Sequence, residues 1–293
     1  MKTITFFLLF MLLAGLPRFA VSQQQLLVGD ELVVGYYGRP GVASLGILGE
    51  YSIEDLTPRI QAKADEYKQI SGDKNVIPAY HLIYGLAAAD PGPNKQFLLP
   101  LSNEKVMAYI NAAQSNGFLV IIDTQLGALT PVEAIKPVLK YLNYENVHLA
   151  IDPEFEVNDL DVPPGKVIGH VTGEQINQAQ AAMSEYMIEN NIEHKKILIV
   201  HMFTAGMVKE KDAVKPFENI KLIMNLDGHG SAELKIKIYN GLYTSGVASK
   251  IPGGFKLFFK EDKPFMMTPP QVLGQESIGS KLIAETPHYI NYQ

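Results

Sequence analysis

Short runs of β-branched and aromatic residues alternate with longer stretches in which apolar positions recur every three or four residues. The strand-like runs are Leu32–Tyr37, Val76–His81, Phe118–Asp123, Val147–Asp152, Lys166–His170, Lys196–His201, Lys221–Leu226 and Phe255–Phe259. Most are flanked by Gly, Pro, Asn or Asp, which punctuate strands. Their nearly continuous apolar character suits parallel strands covered on both faces.

The intervening segments carry helix-start signals. Ser52-x-x-Asp55 opens a helix whose apolar positions Leu56, Ile60 and Ala64 repeat every four residues. Asn103 is expected to cap Glu104–Asn116. Thr130-Pro131-Val132-Glu133 combines a capping Thr, a Pro at the first helical position and a following Glu. Thr172-x-x-Gln175 begins Gln175–Asn190, a weaker helix is expected near Lys209–Phe217, Ser231 caps Ala232–Tyr243, and Thr268-Pro269-Pro270-Gln271 starts a last short one. Eight strands, each followed by a helical segment, predict a (β/α)8 TIM barrel of the α/β class. Two α/β domains are the competing architecture. No Ser/Gly linker or compositional break divides the chain, which favours one domain.

Composition narrows the function classes. The 293 residues are 47% hydrophobic and 19% charged, which excludes disorder, collagen or coiled coil as a description of the whole chain. Residues 1–22 read as a signal peptide: Lys2, an apolar core over Ile4–Leu16, and the small-x-small site Ala20-Val21-Ser22. The barrel domain is then 23–293, expected to be secreted or periplasmic, with no stable membrane insertion. Removal of that segment leaves 23 Lys and Arg against 31 Asp and Glu. No cationic field is left to collect phosphates, so nucleic acid is excluded as an expected partner. The absence of Cys removes disulfides, thiol catalysis and Cys–zinc sites.

In a barrel of this kind, reactive groups gather at the C-terminal strand ends. Those ends carry Tyr36 and Tyr37; Tyr80 and His81; Asp123 and Gln125; Asp152 and Glu154; His170; His201; and Asn225, Asp227 and His229. Alternation along a strand places Asp152 with Glu154, and Asp123 with Gln125, on shared sides. A strand-end acid can also cap a helix or brace a loop. Burying several without compensation is costly, however, and their convergence points to chemistry.

Three readings follow. In the first, a glycosidase-like hydrolase uses Glu154 as general acid beside Asp152, with Asp123 or Asp227 as second carboxylate. Tyr36, Tyr37, Tyr80, His81, Gln125, His170, His201, Asn225 and His229 then contact a carbohydrate or other small polymer, and no cofactor is needed. The absence of Trp, a common sugar platform, counts against it. In the second, one divalent metal ion held among Asp123, Asp152, Glu154, His201, Asp227 and His229 hydrolyses a phosphodiester or an amide. No His-x-His or His-Glu-x-x-His spacing supports that. In the third, the barrel binds a ligand without turnover. His148, His194 and His288 receive no role. Gly38–Gly49 and Leu86–Leu101 read as loops over the mouth, with Arg39 most simply in a loop salt bridge.

Tyr36-Tyr37-Gly38 with Gly46-x-x-Gly49-Glu50, then Asp152-Pro153-Glu154, Gly169-His170, His201-x-Phe203 and Asn225-x-Asp227-Gly228, resembles a family of exported bacterial proteins of uncharacterised function. Many of its members are lipoproteins. The likeness covers most of 33–293. It implies a glycoside-hydrolase-like barrel and carries no assigned activity. The missing acylated Cys implies free export.

Overall fold

The computed structural model describes residues 30–157, 162–243 and 251–293; the expected signal peptide lies outside them. Eight parallel strands form the barrel: β1 (Leu32–Gly38), β2 (Val76–Ala87), β3 (Leu119–Gly127), β4 (Val147–Glu156), β5 (Lys196–Met202), β6 (Ile220–Leu226), β7 (Gly253–Leu257) and β8 (Tyr289–Tyr292). The ring closes because β1 pairs with both β2 and β8. The outer layer contains α1 (Ile53–Lys68), α2 (Asn103–Asn116), α3 (Pro131–Ile135), α4 (Gly173–Glu189), α5 (Ala232–Tyr243) and α6 (Pro269–Val272). This is a (β/α)8 TIM barrel. Among the described residues no helix is long and apolar enough to cross a membrane.

Two strand expectations change. Lys166–His170 is not a strand: it follows Pro163-Pro164-Gly165, and Val167 and Ile168 are 66% and 51% exposed, with no layer to cover them. Only Val171–Thr172 beyond it is extended, and it pairs outside the barrel with Val208–Lys209. The eighth barrel strand is instead Tyr289–Tyr292, between β7 and β1. Two helix details also change. Ser102 rather than Asn103 is the cap of α2, accepting from Lys105 N–H at 3.3 Å. The Lys209–Phe217 segment contains one 3-10 turn at Lys211–Ala213 and no α-helix.

Side-chain alternation divides the core in two. Val34, Leu82, Val120 and Leu149 point outward and pack with Leu56, Ile60 and Ile110 of the helices. Val33, Ile77, Leu119, Ile121, Ile199 and Ile223 fill the barrel interior. The N-terminal end is closed by polar groups with fixed partners: Lys221 Nζ lies 3.1 Å from Glu31 Oε1, and Ile197 N–H donates to His148 Nδ1 at 3.0 Å. Burial holds that imidazole well below its usual pKa, so His148 is a neutral acceptor.

Lys196 sits at the same end, its ammonium donating to the carbonyls of Tyr144 (2.7 Å) and Glu145 (3.0 Å). Burial lowers its pKa to about 7, against the opposing charge of Glu145. A base depressed in this way contributes stability in full above its unfolded value of 10.5 and loses it as pH falls toward 7. Unfolding free energies of wild type and Lys196→Met, measured in urea from pH 7 to 10.5, are therefore expected to shift relative to each other in favour of wild type as pH rises. A constant difference across that range would contradict a buried, titrating Lys196.

Candidate active site

Above the apolar layers the inward positions turn polar. Tyr37, His81, Asp123, His201, Asn225, Tyr289 and Asn291 are all buried there. Asp123 Oδ2 accepts a hydrogen bond from Tyr37 OH at 3.1 Å and lies 3.5 Å from His81 Nε2 and 3.4 Å from His201 Nε2. His81 Nδ1 is 2.5 Å from Tyr289 OH. His201 Nδ1 lies 2.9 Å from Asp227 Oδ2, and Lys256 Nζ binds the other oxygen of Asp227 at 2.8 Å. The same ammonium stands 3.6 Å from the centroid of the Tyr37 ring. Gly254 makes room for Asn225: a Cβ there would meet its Oδ1 at 2.5 Å.

These contacts separate the titrations. Burial alone would lower the pKa of His201, but Asp123 and Asp227 raise it to about 10. His81 is lowered to about 4, chiefly by burial. Burial works to raise Asp123 and Asp227. The two imidazoles reverse this for Asp123, and Lys256 with His201 reverses it for Asp227, so both carboxyls fall below the usual range. Asp152 moves the other way, to about 8, through burial and its carboxylate neighbours, with His201 opposing. Glu154 is also raised, first by burial and then by Asp227.

A pocket of about 380 Å³ opens above this layer. Asp152, Glu154, Asp227 and Lys256 are among its polar groups, and Tyr37, Phe155, Phe203 and Phe258 form its aromatic walls. A bulge aims Glu154. β4 pairs in register with β3 as far as Gln125↔Asp152, then resumes at Gly127↔Glu156, so β4 carries two extra residues around Pro153. Pro153 has no N–H to give to the ladder, and Glu154 N–H donates instead to Asp152 Oδ1 at 3.0 Å. Glu154 and Phe155 both line the pocket, which strict alternation would forbid.

The expected site residues divide into three groups. Tyr37, Gln125, Asp152, Glu154, Asp227 and His229 line the pocket. His81, Asp123, His201 and Asn225 lie outside its lining, in the sealed layer beneath, so Asp123 is not an accessible second carboxylate. Tyr36, Tyr80 and His170 lie elsewhere. Tyr36 faces out of the barrel against Phe259 and Tyr292 and lines a separate cavity of about 490 Å³. Tyr80 is buried under the helices, with its hydroxyl on Thr57 and its ring against Tyr109. His170 lies on the loop after β4, 3.0 Å from Lys209 Nζ. Arg39 makes no contact with the pocket; it donates to the carbonyls of Ile83 and Tyr84 at 2.9 and 2.6 Å, in place of the expected salt bridge.

The six expected metal ligands do not meet at one point. Two of them, Asp123 and His201, converge instead with His81, and the three offer donor atoms within 4.8 Å of one another. Lys256, Phe155, Phe203, Phe258 and Tyr289 are the contributors missed from sequence. Lys256, a lone cation inside the apolar run Gly253–Phe259, carried a readable signal.

No family model and no curated protein matches the chain. Among solved structures, it is similar to a hyperthermophilic endo-beta-1,4-glucanase in complex with substrate, at 11% identity over 90% of this chain and 88% of that one, with a TM-score of 0.46. A GH5 family lichenase from Caldicellulosiruptor sp. F32 is 11% identical over 78% and 74% of the two chains, with a TM-score of 0.38. A variant of an alpha-N-acetylgalactosaminidase from Bifidobacterium bifidum is 10% identical over 69% and 44%, with a TM-score of 0.32.

Charge around Glu154 makes its titration a direct test of this geometry. Carbon-detected NMR is expected to give its carboxyl a midpoint above 4.5. Asp227→Asn removes a negative neighbour and is expected to lower that midpoint; Lys256→Met removes a positive one and is expected to raise it. A midpoint at or below 4.5 in wild type would contradict the arrangement.

Proposed function

We propose that the protein is a glycosidase-like hydrolase with Glu154 as general acid and Asp227 as second carboxylate. One observation carries this reading: of the three carboxyl groups that face the pocket, Asp227 and Glu154 are treated oppositely. Asp227 is fixed by Lys256 and His201. The Glu154 carboxyl has no hydrogen bond or ion pair among the described residues and is partly buried in the same cavity. Such a division separates a proton donor from an ionised partner at one pH. Glycosidic cleavage needs that pair: the acid protonates the leaving oxygen while the other carboxylate acts as nucleophile or as base toward water.

Asp152 supports the donor without replacing it. Its Oδ1 accepts the Glu154 N–H and so fixes the bulge. The aromatic walls offer flat apolar faces to sugar rings, a role for which Phe and Tyr serve in a chain without Trp. The volume lies in the range of small-ligand sites. With the signal peptide read at 1–22, the proposed substrate is an envelope or extracellular carbohydrate polymer. A mouth whose acids are all paired with Arg or Lys, or one sealed by loops, would favour the non-catalytic alternative; the pocket is open, and Glu154 has no such partner among the described residues.

A substrate array assayed with wild type and Glu154→Gln, each with and without chelator, tests the proposal. Wild type is expected to cleave at least one glycoside, and Glu154→Gln to keep the fold while losing about 10²–10⁴-fold in kcat/KM. Full activity of Glu154→Gln on that substrate would remove the assignment. Cleavage confined to phosphodiesters or amides and abolished by chelator would support metal-dependent hydrolysis instead.

A further inference from the structure

Asp123 is surrounded by donors that stand slightly too far away. Charge-assisted N–H···O bonds usually span about 2.7–2.9 Å, yet the two imidazole nitrogens lie 3.4 and 3.5 Å from Asp123 Oδ2. His81 Nε2, His201 Nε2 and Asp123 Oδ1 are all buried without a hydrogen-bond partner. Three orphaned polar atoms side by side in a fully buried layer are costly unless something shared satisfies them.

A small cation would do so. An ion held tetrahedrally at about 2.0–2.1 Å from nitrogen and oxygen donors sets those donors about 3.3–3.4 Å apart. The two imidazole distances to Asp123 Oδ2 are close to that value, and one donor atom from each of the three residues lies within 4.8 Å of the other two. The far sides of the rings are prepared in the manner of metal-bound histidines, whose second nitrogen is normally held by a carboxylate or another polar group. His201 Nδ1 is held by Asp227 at 2.9 Å and His81 Nδ1 by the Tyr289 hydroxyl at 2.5 Å. The Tyr37 oxygen, 3.1 Å from Asp123 Oδ2, is the nearest group for a fourth position.

We infer that His81, Asp123 and His201 form a buried binding site for one divalent transition-metal ion of the zinc class. The site is separate from the pocket, because none of the three side chains lines it. The ion therefore acts as a structural fastener of β2, β3 and β5. Binding at His201 Nε2 displaces the proton there, the ion taking over the positive charge between Asp123 and Asp227, and through His201 it also fixes Asp227, the pocket carboxylate. This inference does not depend on the substrate, and its test does not use turnover.

Purified full-length protein is stripped with chelator and titrated with Co²⁺ alone, then Zn²⁺ alone. Wild type is expected to take up one ion per chain. Co²⁺ should give the visible bands of a low-coordinate site, and Zn²⁺ should abolish them by displacement. His81→Ala and Asp123→Asn are expected to weaken Co²⁺ binding at least a hundredfold, while His229→Ala, on the pocket rim, leaves it unchanged. Ring nitrogen NMR of wild type with Zn²⁺ identifies the ligands even if those variants do not fold: two of the seven imidazoles, His81 and His201, should shift at Nε2. Absence of stoichiometric uptake by wild type would overturn the inference. So would uptake undiminished in folded His81→Ala, or ligation by any other histidine.

Discussion

Charge buried inside the barrel is the constraint around which the upper half of this protein is organised. A carboxylate placed among apolar strands must be compensated or it destabilises the fold by several kcal/mol. Here compensation runs as an alternating series from the interior to the mouth: Asp123, His201, Asp227, Lys256. Each member comes from a different strand or strand end, so the series also ties together β3, β5, β6 and β7. Its last members form one wall of the pocket. Two pocket acids, Asp152 and Glu154, stand outside the series. Compensation below and exposure above are thus two consequences of the same arithmetic of sign.

The interior is built as two storeys with different tasks. The lower one is aliphatic and closed at its base by groups whose partners are fixed, including a neutral His148 and the Glu31–Lys221 pair. The upper one is polar throughout. Tyr37 belongs to both the buried layer and the pocket, since its hydroxyl reaches Asp123 while its side chain lines the cavity. A change in the layer beneath therefore reaches the pocket through Tyr37 as well as through the His201–Asp227 contact.

Much of this was readable in the chain, for physical reasons that can be named. Apolar runs such as Val147–Asp152 and Lys196–His201 announce strands covered on both faces, and capping residues at Thr130 and Thr172 mark helix starts. Lys166–His170 has the composition of a strand but lacks a layer to bury it, and composition alone does not report that. Tyr289–Tyr292 was overlooked because it is only four residues long and places Asn291 at an inward position, breaking the apolar signal. At the site, the carboxylates Asp152, Glu154 and Asp227 could be picked out because strand ends carry chemistry in this architecture. Which of them a partner would neutralise could not: Lys256 and His201 reach Asp227 from other strands. Alternation itself forbids Tyr36 beside Tyr37, and Tyr80 beside His81, at one mouth: each is one residue out of phase with its lumen-facing neighbour.

The bulge after Asp152 is held from outside the barrel. Gly169 N–H donates to the Glu154 carbonyl at 2.8 Å, and a Cβ at that glycine would lie 2.4 Å from the Pro153 carbonyl oxygen. The direction of the pocket acid is thus delegated to a bare stretch of backbone in a surface segment. A side chain at that one position would also meet the backbone of Glu156 in β4 itself, so the surface segment and the end of the strand are fitted to each other as one piece.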